Sequence, residues 1–192
     1  MAIKVETERL RIRNFKTKDA SGLFAYFSSP RVNCFLMEQV GTLAEAADGV
    51  ARKSREELHF AVCLKATDAI IGEVFAIKEE PDTYGVGWIL NEQYEGKGYA
   101  SEAARGFLDF LFTSRGARRI YGYVEEDNFR SQKLCERLGM RREALFMEFV
   151  TFTSNPDGTL KYENTFVYAM LKREWELRGK SNARFSGQPE SW

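Results

Sequence analysis

Between an apolar run at residues 86–90 and a segment of helical period stands Asn91-Glu-Gln-Tyr-Glu-Gly96-Lys-Gly98-Tyr-Ala100, and this junction narrows the folds open to the chain. Beyond it, apolar residues fall at Ala100, Ala103, Ala104, Phe107, Leu108 and Leu111, the spacing of one helix face. The order is therefore strand, glycine loop, helix. Gly96 and Gly98 let the main chain turn sharply and let a ligand approach it, because neither carries a Cβ. The first turn of the helix that follows presents N–H groups without internal partners at the positive end of the helix dipole. An anion is favoured there, and the loop suits a phosphate.

Two nucleotide motifs can be tested against it directly. A P-loop requires Gly-x-x-x-x-Gly-Lys-Ser/Thr, whereas Lys97 is followed by Gly98 and Tyr99, so no hydroxyl stands where a metal needs one. A dinucleotide fingerprint requires a third glycine where Ser101 stands, with an acidic residue at the end of a second strand. Neither motif is met, which argues against an ATP- or NAD-binding protein.

The loop resembles the acyl-CoA signature of the GNAT superfamily of acetyltransferases, Gln/Arg-x-x-Gly-x-Gly/Ala, through Gln93, Gly96 and Gly98. A second segment, Asn128-Phe-Arg-Ser131-Gln-Lys-Leu134-Cys-Glu-Arg-Leu138-Gly139-Met140, follows a strand at 119–124. It is similar to the Asn-x-x-Ser-x-x-Leu-x-x-x-Leu-Gly-Phe/Met segment of the RimJ/RimL-like branch, the ribosomal-protein N-acetyltransferases. The likeness runs from the Glu-Arg-Leu-x-Ile-Arg opening at 8–13 to the closing strand before Arg173, Glu174 and Trp175. It implies an α/β (α+β) GNAT-type acyl-CoA N-acyltransferase fold, a mixed, mostly antiparallel twisted sheet of about seven strands flanked by about four helices.

Composition agrees with one core. A chain of 192 residues, 44% of them apolar, suits a single domain, here expected over 1–175 with a polar tail at 176–192 that is helical only near Trp175 before fraying. Lys plus Arg equals Asp plus Glu at 28 each, against a dedicated nucleic-acid or acidic-membrane surface. Cys34, Cys63 and Cys135 are an odd number without close pairing, which suggests neither a disulfide framework nor a metal site. The absence of a signal-like or membrane-length apolar run leads to the expectation of a cytoplasmic protein.

In chain order, residues 8–14 read as a first strand, with Leu10 and Ile12 alternating against arginines. Thr17 is placed to cap a helix carrying Ala20, Leu23, Phe24 and Phe27, and Thr42 with Glu45 forms a capping box before a second helix. Residues 31–41 have no clear period, and the resemblance implies that this helical region shapes the acceptor pocket. Strands at 60–64, 70–78 and 86–90 form an antiparallel meander. A strand at 119–124, a helix at 131–138 closed by Gly139, and two long strands at 144–153 and 160–171 complete the chain.

Transfer of acetyl from a thioester to an amine needs a held donor, a neutral amine and a proton source for the departing thiolate. By resemblance, the main-chain amides from Gly96 through Lys97, Gly98 and Tyr99 to Ala100 hold the pyrophosphate of acetyl-CoA. The backbone of Trp88, Ile89 and Leu90 pairs with the pantetheine arm. An N–H of that strand can polarise the thioester carbonyl. Asn128 can cap its helix and hydrogen-bond the pantetheine. Where many members of the superfamily carry a proton-donating tyrosine this chain has Cys135, and Ser131, in the first turn of the helix, is the substitute.

For the base, strand alternation groups Glu148 with Phe146, Val150 and Phe152, and Glu73 with Ile71, Phe75 and Ile77. Both are carboxylates on otherwise apolar faces, where desolvation raises the pKa. Glu148 also resembles an acceptor-side position of the RimJ/RimL-like group and ranks first. His59, the only histidine, precedes a strand outside both motifs and is expected at the surface. The expected activity is acetyl transfer from acetyl-CoA, without a metal, to a primary amine on a protein N-terminus or a small molecule, by direct attack in a ternary complex. The alternative is a CoA-binding regulatory module without turnover. The two long C-terminal strands could join a homodimer.

Overall fold

The computed structural model describes residues 4–185. Eight strands form one sheet: β1 (Lys4–Glu6), β2 (Leu10–Arg13), β3 (His59–Leu64), β4 (Ile70–Glu79), β5 (Thr83–Leu90), β6 (Arg119–Glu125), β7 (Arg141–Ser154) and β8 (Leu160–Leu171). Their order across the sheet is β1-β2-β3-β4-β5-β6-β8-β7, and every neighbouring pair is antiparallel except β5 with β6. The helices are α1 (Ala20–Phe27), α2 (Leu43–Lys53), α3 (Tyr99–Ser114), α4 (Phe129–Leu138) and α5 (Lys172–Phe185).

The expected mixed α/β architecture is present, with β1 as an added edge strand and α5 continuing to Phe185 through sequence expected to fray. Trp175 holds α5 to the core: its ring stacks on Phe112 at 5.3 Å between centroids and its Nε1 donates to Asp109. Ahead of α1 the chain makes a 3-10 turn at Thr17–Asp19, and the carboxylate of Asp19, rather than Thr17, reaches back to accept from the Lys16 amide at 2.7 Å. Thr42 caps α2 as its spacing suggests, accepting from the Glu45 amide at 3.2 Å. The aperiodic stretch between these helices contains a 3-10 segment, Asn33–Glu38.

One sheet face packs on α3 and α4. There Phe60, Val62, Val74, Val124, Phe166 and Tyr168 meet Phe107, Leu111, Leu134 and Leu138 in the larger core cluster. A smaller cluster on the other face joins Ala61, Cys63 and Ile70 to Leu23, Phe27, Ala46 and Val50 of α1 and α2.

Three sequence expectations fail in this sheet, two of them at irregularities. Val62 pairs with Gly72 but Cys63 pairs with Ile70, so Ile71 is an extra residue in β4. The bulge turns Ile71 towards α3 and separates it from Glu73, which faces α1 and α2 instead of sharing a face with Ile71. His59 is not at the surface: it is the first residue of β3, is 8% exposed, and lies between the rings of Phe15 and Phe75. Glu148 does not point inward. Phe146 pairs with Thr165 and Val150 with Glu163, so β7 bows out over Met147, Glu148 and Phe149, and Glu148 is exposed with φ of 47°.

Candidate active site

The parallel junction of β5 and β6 is short. Pairing covers Thr83 with Arg119, Tyr84 with Ile120 and Gly85 with Tyr121, and then stops. Beyond it β5 continues to Leu90 and β6 to Glu125 as the two strands diverge. On its other side β5 stays paired with β4 as far as Leu90 opposite Gly72. The sheet therefore opens in the middle, and the main chain of β5 from Val86 to Leu90 is left without a strand partner on the β6 side.

A cleft of about 820 Å³ runs through this opening, from the N-termini of α3 and α4 to the end of α1 and the 33–38 segment. Trp88, Ile89 and Leu90 line it on the strand side. Gly96, Gly98, Tyr99 and Ala100 line it at the α3 end, and Asn128 and Ser131 at the α4 end. Gln93 and Lys97 are exposed and lie outside the lining residues; the Lys97 ammonium sits 5.5 Å above the Tyr94 ring.

Gly98 caps α3 with φ of 80°, and the first intrahelical bond runs from the Glu102 amide to the Gly98 carbonyl at 3.1 Å. The amides of 99–101 precede it and face the cleft end of the helix without helical acceptors. Gly96 has φ of 74°, and a Cβ built there would meet nothing within 4 Å among the described residues, which leaves the space over this turn open. The loop thus has the donors, the dipole and the clearance that a pyrophosphate requires.

A clasp absent from the sequence reading holds this loop. Glu102, in the first turn of α3, accepts from the Arg9 amide and from Arg9 Nε, both at 2.7 Å, and from the Thr7 hydroxyl at 2.6 Å. Arg9 Nη1 donates onward to the Lys97 carbonyl at 2.9 Å, and the guanidinium lies 4.5 Å from the Tyr99 ring centre. Burial pushes the Glu102 carboxyl up, but the bonds from Thr7 and Arg9 outweigh it and hold the group below its ordinary value. The Glu-Arg-Leu opening carries a readable pattern, whereas its partner 93 residues away has no local signal in the sequence.

On α4, Arg130, Lys133 and Arg137 line the cleft at helical spacing. Arg137 Nε donates to Ser101 Oγ at 3.3 Å, bringing α4 to the start of α3, and Arg130 pairs with Glu95 at 2.7 Å. A neutral overall charge concealed this cationic wall, although the spacing of three basic residues in the second motif was there to be read. Asn128 Oδ1 accepts from the Ser131 amide at 3.2 Å, so its cap role is realised. Ser131 is half-buried beside it. Cys135 is fully buried, and burial pushes its thiol up to about 12, which suits packing rather than proton donation near neutral pH.

Glu73 sits behind the cleft wall. It is 0% exposed, with Lys53 Nζ at 2.6 Å and His59 Nε2 at 2.8 Å from Oε1, while the Tyr26 hydroxyl donates to Oε2 at 2.9 Å. Burial alone would raise its pKa, but His59 and Lys53 outweigh that cost and hold the carboxyl below its ordinary value. Tyr26 is the link to the cleft, which it lines; burial first, and then the Glu73 charge, raises its hydroxyl well above the ordinary tyrosine value. Glu148 lies outside the lining residues, with its amide bonded to Asn164 Oδ1 at 2.8 Å. The structure therefore brings the loop, Asn128 and Ser131 to one cleft, sets Glu73 one side chain away, and leaves Glu148 apart. Among the described residues no group of His, Cys, Asp and Glu is placed to hold a metal ion, and no helix is long and apolar enough to cross a membrane.

Comparison with known proteins agrees with this architecture. Residues 9–141 match the acetyltransferase (GNAT) domain family. The protein named as uncharacterized N-acetyltransferase YnaD of Bacillus subtilis is 32% identical over 173 residues, spanning 89% of this chain and 98% of the relative. The crystal structure of a GNAT-family acetyltransferase from Bacillus anthracis superposes with a TM-score of 0.80 at 29% identity, covering 90% of this chain and all of that one. RimJ of Mycobacterium smegmatis, solved in complex with CoA-disulfide, shares the fold at a TM-score of 0.66 and 15% identity, over 90% of this chain and 88% of its own.

Proposed function

The chain belongs to the GNAT acetyltransferase family, and from that premise we propose that it carries the acetyl group of acetyl-CoA to a primary amine by direct attack within a ternary complex. The observation that carries this reading is the opening between β5 and β6, with a glycine loop at one end and the Asn128–Ser131 turn at the other. The second motif supports a place in the RimJ/RimL-like branch.

The amides of Gly96 to Ala100 would hold the pyrophosphate, and Arg130, Lys133 and Arg137 would add positive charge beside it. The unpaired edge of Trp88–Leu90 would take the pantetheine arm as an added strand and set one N–H towards the thioester oxygen. The amine nitrogen attacks the thioester carbon, the C–S bond breaks with its electron pair leaving on sulfur, and the proton that nitrogen gives up balances the thiolate, so the products are the amide and the free thiol of CoA. Ser131, in the first turn of α4, hydrogen-bonds the departing thiolate where the helix dipole also favours negative charge.

Of the two carboxylates proposed from sequence, Glu73 is retained in a supporting part, acting on the cleft through the Tyr26 hydroxyl that it accepts. Glu148 is not retained as the base, because it is exposed on the bowed segment of β7.

The test is release of free thiol from acetyl-CoA in the presence of amines and short peptides, paired with calorimetric titration of acetyl-CoA alone. Saturable binding with acceptor-dependent thiol release is expected. Binding without release for every acceptor would support the regulatory module, which draws on the replacement of the usual tyrosine by Cys135. No binding would end both readings.

A further inference from the structure

On the sheet face turned away from α3 and α4, strand register sets three polar side chains together. Glu125, at the end of β6, pairs with Thr165 of β8, and Glu163 lies two residues along β8 on the same face. All are inside: Glu125 is 7% and Thr165 3% exposed, and the Glu163 side chain 8%. The 33–38 segment covers them. Asn33 Nδ2 donates to Glu163 Oε1 at 2.7 Å. Asn128 Nδ2 lies 3.4 Å from Glu125 Oε2, so this pocket adjoins the cleft at the turn that carries Ser131.

Two of its atoms, Glu163 Oε2 and Thr165 Oγ1, are buried without a hydrogen-bond partner among the described residues. Leaving a buried polar atom unpaired is unfavourable, and more so when it is charged. Lys161, itself half exposed, stands 3.8 Å from Glu163 Oε1, on the oxygen that Asn33 already occupies. The pocket is therefore rich in acceptors and short of a donor with positive charge. An alkylammonium brings three N–H donors and that charge. Beside the pocket, Tyr123 and Phe146 share the same sheet face, 6.4 Å apart and partly exposed, where a methylene chain can lie.

We infer that the Glu125–Thr165–Glu163 pocket binds an ammonium group of the acceptor. An ammonium flanked by two carboxylates is held in its charged form, which has no lone pair for attack. The nucleophile is then a second amine of the same molecule, and the acceptor is an aliphatic diamine or longer polyamine. This inference rests on the amine acetyl transfer proposed above.

The experiment compares 1,4-diaminobutane with 1-aminobutane, which has the same chain and lacks the second charge. The wild-type protein is expected to favour the diamine in kcat/KM by about tenfold or more. Glu163→Gln, and independently Thr165→Val, should bring that ratio near unity while the KM for acetyl-CoA stays within about twofold. Equal use of both amines by the wild type, or a ratio kept by both variants, overturns the inference and leaves the acetyl transfer standing. If no amine is acetylated, the proposed activity fails and the pocket is read by calorimetry with 1,4-diaminobutane alone. Binding lost in Glu163→Gln then sustains the site, and absence of binding overturns it.

Discussion

Arg9 and Glu102 meet end-on across the start of the glycine loop, with Nε and Nη2 of the guanidinium each 2.7 Å from the same carboxylate oxygen. The pair ties the second strand to the first turn of α3, and through the Lys97 carbonyl it fixes the loop between Gly96 and Gly98. Its worth lies in the shape it gives the loop, since an arginine 44% exposed gains little from the charge attraction alone.

Glu102→Ala should therefore weaken acetyl-CoA binding by roughly three- to thirtyfold, as preorganised donors are lost, and leave kcat at saturating acetyl-CoA nearly unchanged. Calorimetry and steady-state rates on the same preparation read the two quantities. A fall in kcat with unaltered affinity would place Glu102 elsewhere in the mechanism.

Gly96→Trp should abolish saturable acetyl-CoA binding, because the indole would fill the open space over the loop. Gly158, in the β7–β8 turn, has a similar left-handed φ of 85° and equally open surroundings, so Gly158→Trp imposes the same backbone strain far from the cleft. Retained binding in Gly158→Trp and loss in Gly96→Trp separates blockage from strain. Binding by both variants would remove the pyrophosphate from the loop.

Ser131→Ala should lower kcat by about 10- to 100-fold with acetyl-CoA affinity nearly unchanged, as expected when a contact made to the leaving group is removed. Asn128→Ala offers the contrast: loss of the α4 cap should cost about 1 kcal/mol of stability, seen as a lowered Tm. If Ser131→Ala turns over at the wild-type rate, the serine has no part in thiolate departure.

The Glu73 network predicts acid sensitivity. Its folded carboxyl lies below the ordinary value of 4.5, so the stability it contributes is complete above that value and is lost as pH falls through the folded pKa. Glu73→Gln, which leaves Lys53 and His59 facing an amide, should cost about 3–5 kcal/mol at neutral pH. The Tm gap between the two proteins should close as pH is lowered below 4.5. A gap constant down to pH 3 would show that the carboxylate charge is not what holds this network.

The elements with local signals were legible. The glycine loop, the Asn128 cap, Gly139 with φ of 81° ending α4, and the long β7–β8 hairpin follow from residues close in sequence. What failed were inferences that carried alternation across a bulge. One extra residue at Ile71 inverts the face of Glu73, and three residues of β7 opposite Asn164 turn Glu148 outward. The place of His59 is not legible because the partner that draws it inward, Glu73, stands on the next strand, and a single histidine carries no periodic signal. Arg9 with Glu102, and Glu125 with Thr165, are likewise pairs made by tertiary register alone.

The short parallel junction has a mechanical consequence. Among the described residues three residue pairs stitch β1–β5 to β6–β8 within the sheet, and the rest of the join is the core packed beneath α3 and α4 with a few hydrogen bonds such as Tyr121 to Glu79 and Asn33 to Glu163. The molecule is in effect two β-leaves sharing a spine, with a seam running to the surface. Anything that zips to the bare edge of β5 works as a clasp between the leaves, so that amide hydrogens on both sides of the seam exchange in concert when it is filled and independently when it is empty.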